Sequence, residues 1–112
     1  MVYIDFMAGG KEYKLRLNVR NIVLLEDQLG MNPIYIFNDE KNNHTPTTRQ
    51  MVEVLHAALQ VYQEGKTIDD AYAIFDEWLE DGHIITEFVG VITEIYTLSG
   101  LFTKDKKKRK NV

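Results

Sequence analysis

Residues 2–18 read VYIDFMAGGKEYKLRLN, and they contain two runs that alternate around a glycine pair. Val2, Ile4 and Phe6 fall on one face of the first run, and Tyr13, Leu15 and Leu17 on one face of the second. A period of two is the mark of half-buried strands. Gly9 and Gly10 between them can take the positive φ that a tight hairpin turn demands. The spacing therefore predicts a β-hairpin over 2–17.

Working outward, Asn18 is placed to cap a helix, since its side-chain oxygen can reach free amides of the first turn. That helix is expected over 19–29, with Ile22, Leu25 and Leu29 inward and Gly30 as its stop. Asn32 followed by Pro33 is a second cap-and-first-turn signal, and a short helix is expected over 33–38. The polar stretch DEKNNHTPTT, 39–48, has no periodicity and reads as a loop. A long helix is expected over 47–64, with Met51, Val52, Leu55, Ala58, Leu59 and Tyr62 as its buried stripe and Gly65 ending it. Thr67 with Asp70 three residues on resembles a capping box and opens a helix over 68–81. Its inward face is Ile68, Ala71, Phe75, Trp78 and Leu79, with Tyr72 reading as core in the same aromatic stretch, and it stops at Gly82. The last helix is expected over 84–99. Its apolar positions fill an arc of roughly 180°, and Thr86, Glu87, Gly90, Thr93, Glu94 and Thr97 one of roughly 120°. So broad an apolar face suits the central helix of a bundle, or a helix touching both its own core and a partner. Tyr96 and Phe102 read as core. The fold class is α+β: an N-terminal hairpin followed by a bundle of about four helices, in one globular domain over 1–103.

At 112 residues and 45% apolar composition, one domain that buries roughly two-thirds of its unfolded surface is expected. The absence of cysteine removes disulfides, thiolate metal sites and a cysteine nucleophile, and fits a reducing compartment. MVYIDFMAGG has neither a basic start nor a long apolar run, so no targeting signal is read there. Ile84–Phe102 is interrupted by Glu87, Gly90 and Glu94 and does not read as a membrane span. Net charge is −4, but residues 104–112, KDKKKRKNV, carry +5, which leaves −9 on residues 1–103. An acidic body repels a duplex and makes nucleic acid an improbable partner.

The search for reaction chemistry finds little. His44, His56 and His83 are dispersed, without metal-ligand spacing to a carboxylate cluster. GGK is a hairpin turn and no phosphate loop. No serine or threonine stands in a nucleophile context. The reading is a non-enzyme with no cofactor, no metal and no catalytic residue. Asp69, Asp70, Asp76, Glu77, Glu80 and Asp81 share an arc of roughly 140° on the third long helix. Asp69 and Asp70 suit a helix N-terminus, whereas Glu80 and Asp81 oppose the dipole at the other end. That face is either a solvated surface or a docking face for a basic partner.

In their order, GGKEYKLRLNVRNIVLLEDQLGMNPIYIF, LHAALQ, GKTIDDAYAIFDEWLEDG and EIYTLSGLF resemble the tail assembly chaperones of long-tailed bacteriophages and the similar proteins of gene-transfer agents. The shared pattern is G-K-x-Y-x-L, an LED-x-x-G helix end, an acidic helix closed by glycine and a final helix, over about residues 9–102. The resemblance implies a non-enzymatic protein of the host bacterial cytoplasm that coats the tape-measure protein, recruits tail-tube subunits and leaves before the virion is complete. Two other classes compete: a structural head–tail connector of the virion, and a small DNA-binding regulator, which should show a basic recognition helix that these acidic or neutral helices lack.

Two partner surfaces follow as expectations. The apolar arc of the last helix, with Ile84, Phe88, Val91, Ile95 and Leu98, together with the hairpin, is the expected seat of the tape-measure protein. Self-association is expected to set Asp76, Glu77, Glu80 and Asp81 against Lys11, Lys14 and Arg16 of a neighbouring copy. The basic run has three readings: a solubilising tail, a contact for an anionic partner, or a feature of the gene. Such chaperones commonly have a longer form made by a −1 ribosomal frameshift, and the resemblance implies that Lys106, Lys107 and Lys108 mark the slippery codons.

Overall fold

The computed structural model describes residues 2–38 and 40–103. The basic run and its lysines Lys106, Lys107 and Lys108 lie outside the described residues. Strands β1 (Ile4–Ala8) and β2 (Lys11–Leu15) pair antiparallel, with Ile4 opposite Leu15, Phe6 opposite Tyr13 and Ala8 opposite Lys11. Gly9 and Gly10 turn the chain at φ 60° and 79°, the consecutive positive values that a type I′ turn requires. Phe6, Ala8, Tyr13, Leu15 and Leu17 are buried on the inner face. Val2 is exposed instead, because the strand begins two residues later at Ile4.

Helix α1 (Val19–Leu29) starts where Asn18 accepts from the Asn21 amide and ends at Gly30 in the left-handed region. Pro33–Phe37 forms a 3₁₀ turn rather than the expected helix over 33–38, capped by Asn32, whose side chain accepts from the Ile34 amide. A second 3₁₀ turn, Glu40–Asn42, occupies part of the expected loop.

Helices α2 (Thr48–Leu59) and α3 (Ile68–Glu80) each open on a closed capping box, Thr47 with Gln50 and Thr67 with Asp70. Helix α2 stops at Leu59, five residues short of the expected 64, and the reason is local. The Gln60 backbone amide bonds Ala57, and the Gln60 side-chain amide takes over the vacated His56 carbonyl at 2.9 Å. The same side chain also bridges to the Lys66 carbonyl and the Gly65 amide, which folds 60–66 into a turn. Tyr62 consequently leaves the expected stripe, is exposed, and meets Tyr3 edge to face. Tyr72, read as core, is exposed on α3, while Ile74 is buried in its place.

Helix α4 is Phe88–Ser99, preceded by a 3₁₀ turn at Ile85–Glu87, so it begins four residues after the expected 84. The Glu87 carboxylate accepts from the Ile84 amide at 2.9 Å, which ties that lead-in turn. The central helix is α2 rather than α4: Met51, Val52, Val54, Leu55, Ala57, Ala58 and Leu59 are all buried, and it packs on α1, α3, α4 and β2. The hairpin lies across these helices. Phe6 meets Trp78 at 5.7 Å and Phe88 at 5.9 Å between ring centroids, and Phe88 meets Phe75 at 5.0 Å.

Candidate partner-binding site

The two edges of the hairpin are treated differently. On the β2 side, the Lys14 amide donates to Gln63 Oε1 at 2.8 Å, and the Gln63 Nε2 donates back to the Lys14 carbonyl at 2.9 Å. The Gln63 amide thus imitates one residue of a neighbouring strand. Further along, the Arg16 amide donates to the Ala58 carbonyl and the Leu17 amide to Ser99 Oγ. Because Lys14 turns both polar groups away from β1, alternation assigns the rungs of the hairpin to the pairs Ile4–Leu15, Phe6–Tyr13 and Ala8–Lys11. Asp5 and Met7 then direct their amides and carbonyls to the outer side of β1. Among the described residues none bonds to them.

Beside that open edge runs a groove of about 360 Å³, lined by Ile4 of β1 and by Thr93, Glu94, Thr97 and Leu98 of α4. Thr93 donates its hydroxyl to its own helix, to the Val89 carbonyl at 2.9 Å, which leaves its methyl group as the surface it can offer. Leu98 is half-buried. Among the described residues no basic side chain lines the groove, and Glu94 is the one charged residue that does.

The five apolar residues expected to form one surface are divided by the fold. Phe88 and Ile95 are fully buried and belong to the core. Val91 is partly buried against that core. Ile84 is 62% exposed, but it precedes α4, at the opposite end of the helix from the groove. Leu98 alone of the five lines the groove. The core consumes much of the apolar face of α4, so the groove is built from the threonine-rich side counted as polar. Two threonines at i and i+4, Thr93 and Thr97, on an otherwise apolar helix are the signal that could have located it.

The acidic residues of α3 are also partly occupied. Asp81 accepts from the Gly9 amide at 2.9 Å. Glu77 lies against the same turn, so close that a Cβ on Gly9 would fall 2.7 Å from its Oε1. Both carboxylates therefore serve the chain's own hairpin although they are as exposed as Asp76 and Glu80, which do not touch the turn. Glu77 and Asp70 also act on Tyr13, whose phenol pKa is pushed up first by burial and then by these two charges. Capping bonds dominate elsewhere: those from Thr67 hold the Asp70 carboxyl below its usual range, and those from Ile84 and then His83 do the same for Glu87. The histidines have separate settings. His56 accepts from Gln28 at 3.0 Å, joining α2 to α1, His83 stacks on Trp78 at 4.4 Å, and His44 sits in the loop at positive φ. Among the described residues no group of three or more potential metal ligands comes together. Nor, among them, is any helix long and apolar enough to cross a membrane.

A protein family of unknown function, DUF6096, matches residues 5–112. The chain belongs to that family. No curated protein and no solved structure matches it. For this DUF6096 chain the chemistry on offer is therefore read from the site alone. An open strand edge beside an apolar trough can bind backbone and apolar side chains together, which is recognition of a polypeptide.

Proposed function

We propose that this DUF6096 domain is a tail assembly chaperone of a long-tailed phage or prophage, at work in the host bacterial cytoplasm. It holds the tape-measure protein, helps recruit tail-tube subunits and is absent from the finished virion. The observation that supports this reading is the apolar groove between β1 and α4, next to an unpaired strand edge. A chaperone needs such a surface for a polypeptide client and needs no reacting group beside it. Copies associate along the client through Asp76 and Glu80, the two carboxylates of this face that the hairpin turn does not engage, against Lys11, Lys14 and Arg16 of the next copy. Such exposed pairs weaken with salt.

Co-expression with the tape-measure protein tests the reading. A soluble, co-purifying complex is expected, and Leu98→Glu should lower retention of the client at least about tenfold while leaving the circular dichroism spectrum intact. A client that stays insoluble and never co-elutes would remove the proposal. The gene offers a second test: Lys106, Lys107 and Lys108 should be written as an A-AAA-AAG-type heptamer within a long overlapping −1 frame. Interspersed AAG codons without that frame would count against the chaperone reading.

A further inference from the structure

We infer that the open edge of β1 accepts an extended segment as an antiparallel third strand, one that alternates apolar residues with lysine or arginine. The inference shares its groove with the chaperone reading and adds the mode and chemistry of recognition. Three observations carry it. The outward amides and carbonyls of Asp5 and Met7 are spaced to pair with every second residue of an added strand. Such a strand lies about 4.8 Å from β1, and its alternate side chains leave on the two faces of the sheet. On the inner face, which Ile4 shares, they descend onto Thr93, Thr97 and Leu98; on the outer face they stand beside Asp5.

Charge selects the occupant. In an antiparallel ladder, residues directly opposite each other project to the same face. The added residue that bonds to Asp5 therefore sets its side chain against a carboxylate, and Glu94 places a second carboxylate at the groove. Lys14, the cross-strand neighbour of Asp5, holds its ammonium over the Tyr3 ring, 5.2 Å from the centroid. A second copy of β1 brings no basic side chain to Asp5: the register that pairs both open positions centres on Phe6 and sets Asp5 opposite Met7 of the second copy. A basic and apolar segment answers that carboxylate directly.

The test uses the full chain and a synthetic octapeptide, Lys-Val-Thr-Ile-Lys-Val-Thr-Lys. Binding should slow hydrogen exchange at the Asp5 and Met7 amides at least about tenfold. N-methylation of the peptide at the amides of its third, fifth and seventh residues, which face β1, should abolish binding. N-methylation at its valine and isoleucine amides, which face away, should be tolerated. Met7→Pro removes an outward amide without touching the rungs to β2 and should weaken binding at least about tenfold. Asp5→Lys should weaken it at low salt. The N-methyl series decides the matter even if Met7→Pro fails to fold. Equal binding by both N-methyl sets would overturn the inference. So would exchange protection at Asp5 and Met7 that appears without peptide and tracks dimer formation in light scattering, since the occupant would then be a second copy. Peptide binding with no tape-measure complex would overturn the chaperone reading alone, and a tape-measure complex with no effect of the N-methyl pattern would overturn the third strand alone.

Discussion

Tyr96 shows how much one side chain can organise. Its ring stands edge to face with Phe37 at 5.9 Å and with Phe102 at 5.3 Å, and its hydroxyl donates to the Pro33 carbonyl at 3.0 Å. The 3₁₀ turn at Pro33–Phe37 and the segment after α4 are thereby fastened to one residue. Burial pushes the phenol pKa well above its ordinary value, and Tyr13 is displaced in the same direction. A raised folded-state pKa on an acid favours the neutral form, so this stability is complete below the unfolded tyrosine pKa of about 10 and falls as pH rises past it. Tyr96→Phe should cost about 1–3 kcal/mol at neutral pH, because the Pro33 carbonyl loses its partner in the interior. It should also remove part of the stability loss seen above pH about 10. Urea melts of both proteins at neutral and alkaline pH check both statements. The sequence identifies Tyr96 as core from its helical spacing, but its bond spans 63 positions along the chain, and no local pattern encodes that.

Among the elements, those with a short-range signature are legible. The hairpin is read from alternation and two glycines, and α1 and α3 from Asn18, Thr67 and their glycine stops, because strand period, turn and cap are all decided within a few residues. The end of α2 is not legible, since Gln60 and Gln63 are good helix formers by propensity. Only the folded chain shows their side chains leaving the helix pattern to bond the turn and β2. Gln63 bonds Lys14 twice and also the Leu59 carbonyl at 2.8 Å. Gln63→Ala should therefore destabilise the domain by about 1–3 kcal/mol. Hydrogen exchange at the Lys14 amide should accelerate more than at Tyr13, whose amide bonds within the hairpin. The groove was missed for a related reason: threonine counts as polar along a sequence, although a threonine bonded to its own helix presents a methyl group.

At the scale of the whole molecule, the buried core of the described residues runs from Phe6 to Tyr96. Removing residues 104–112 takes the net charge from −4 to −9. Folding stability in high salt should change by less than about 0.5 kcal/mol, while ion-exchange retention shifts strongly. A large loss of stability in a thermal melt would show that the run is part of the fold. The fold class was legible because one hairpin and its caps constrain most of the chain. The placement of the groove was not, because it depends on which helix the core claims as its centre, and the seven buried residues of α2 decide that.

The Gln63 amide has one more effect, on valency. By occupying the outer side of β2 at Lys14 with a side chain that has no further backbone to offer, it stands in the path of any strand that would extend the sheet in that direction. A domain with one sealed edge and one open edge can take one strand and no more. Titration with an edge-binding peptide should saturate at one per domain, and copies of the domain cannot chain their sheets end to end.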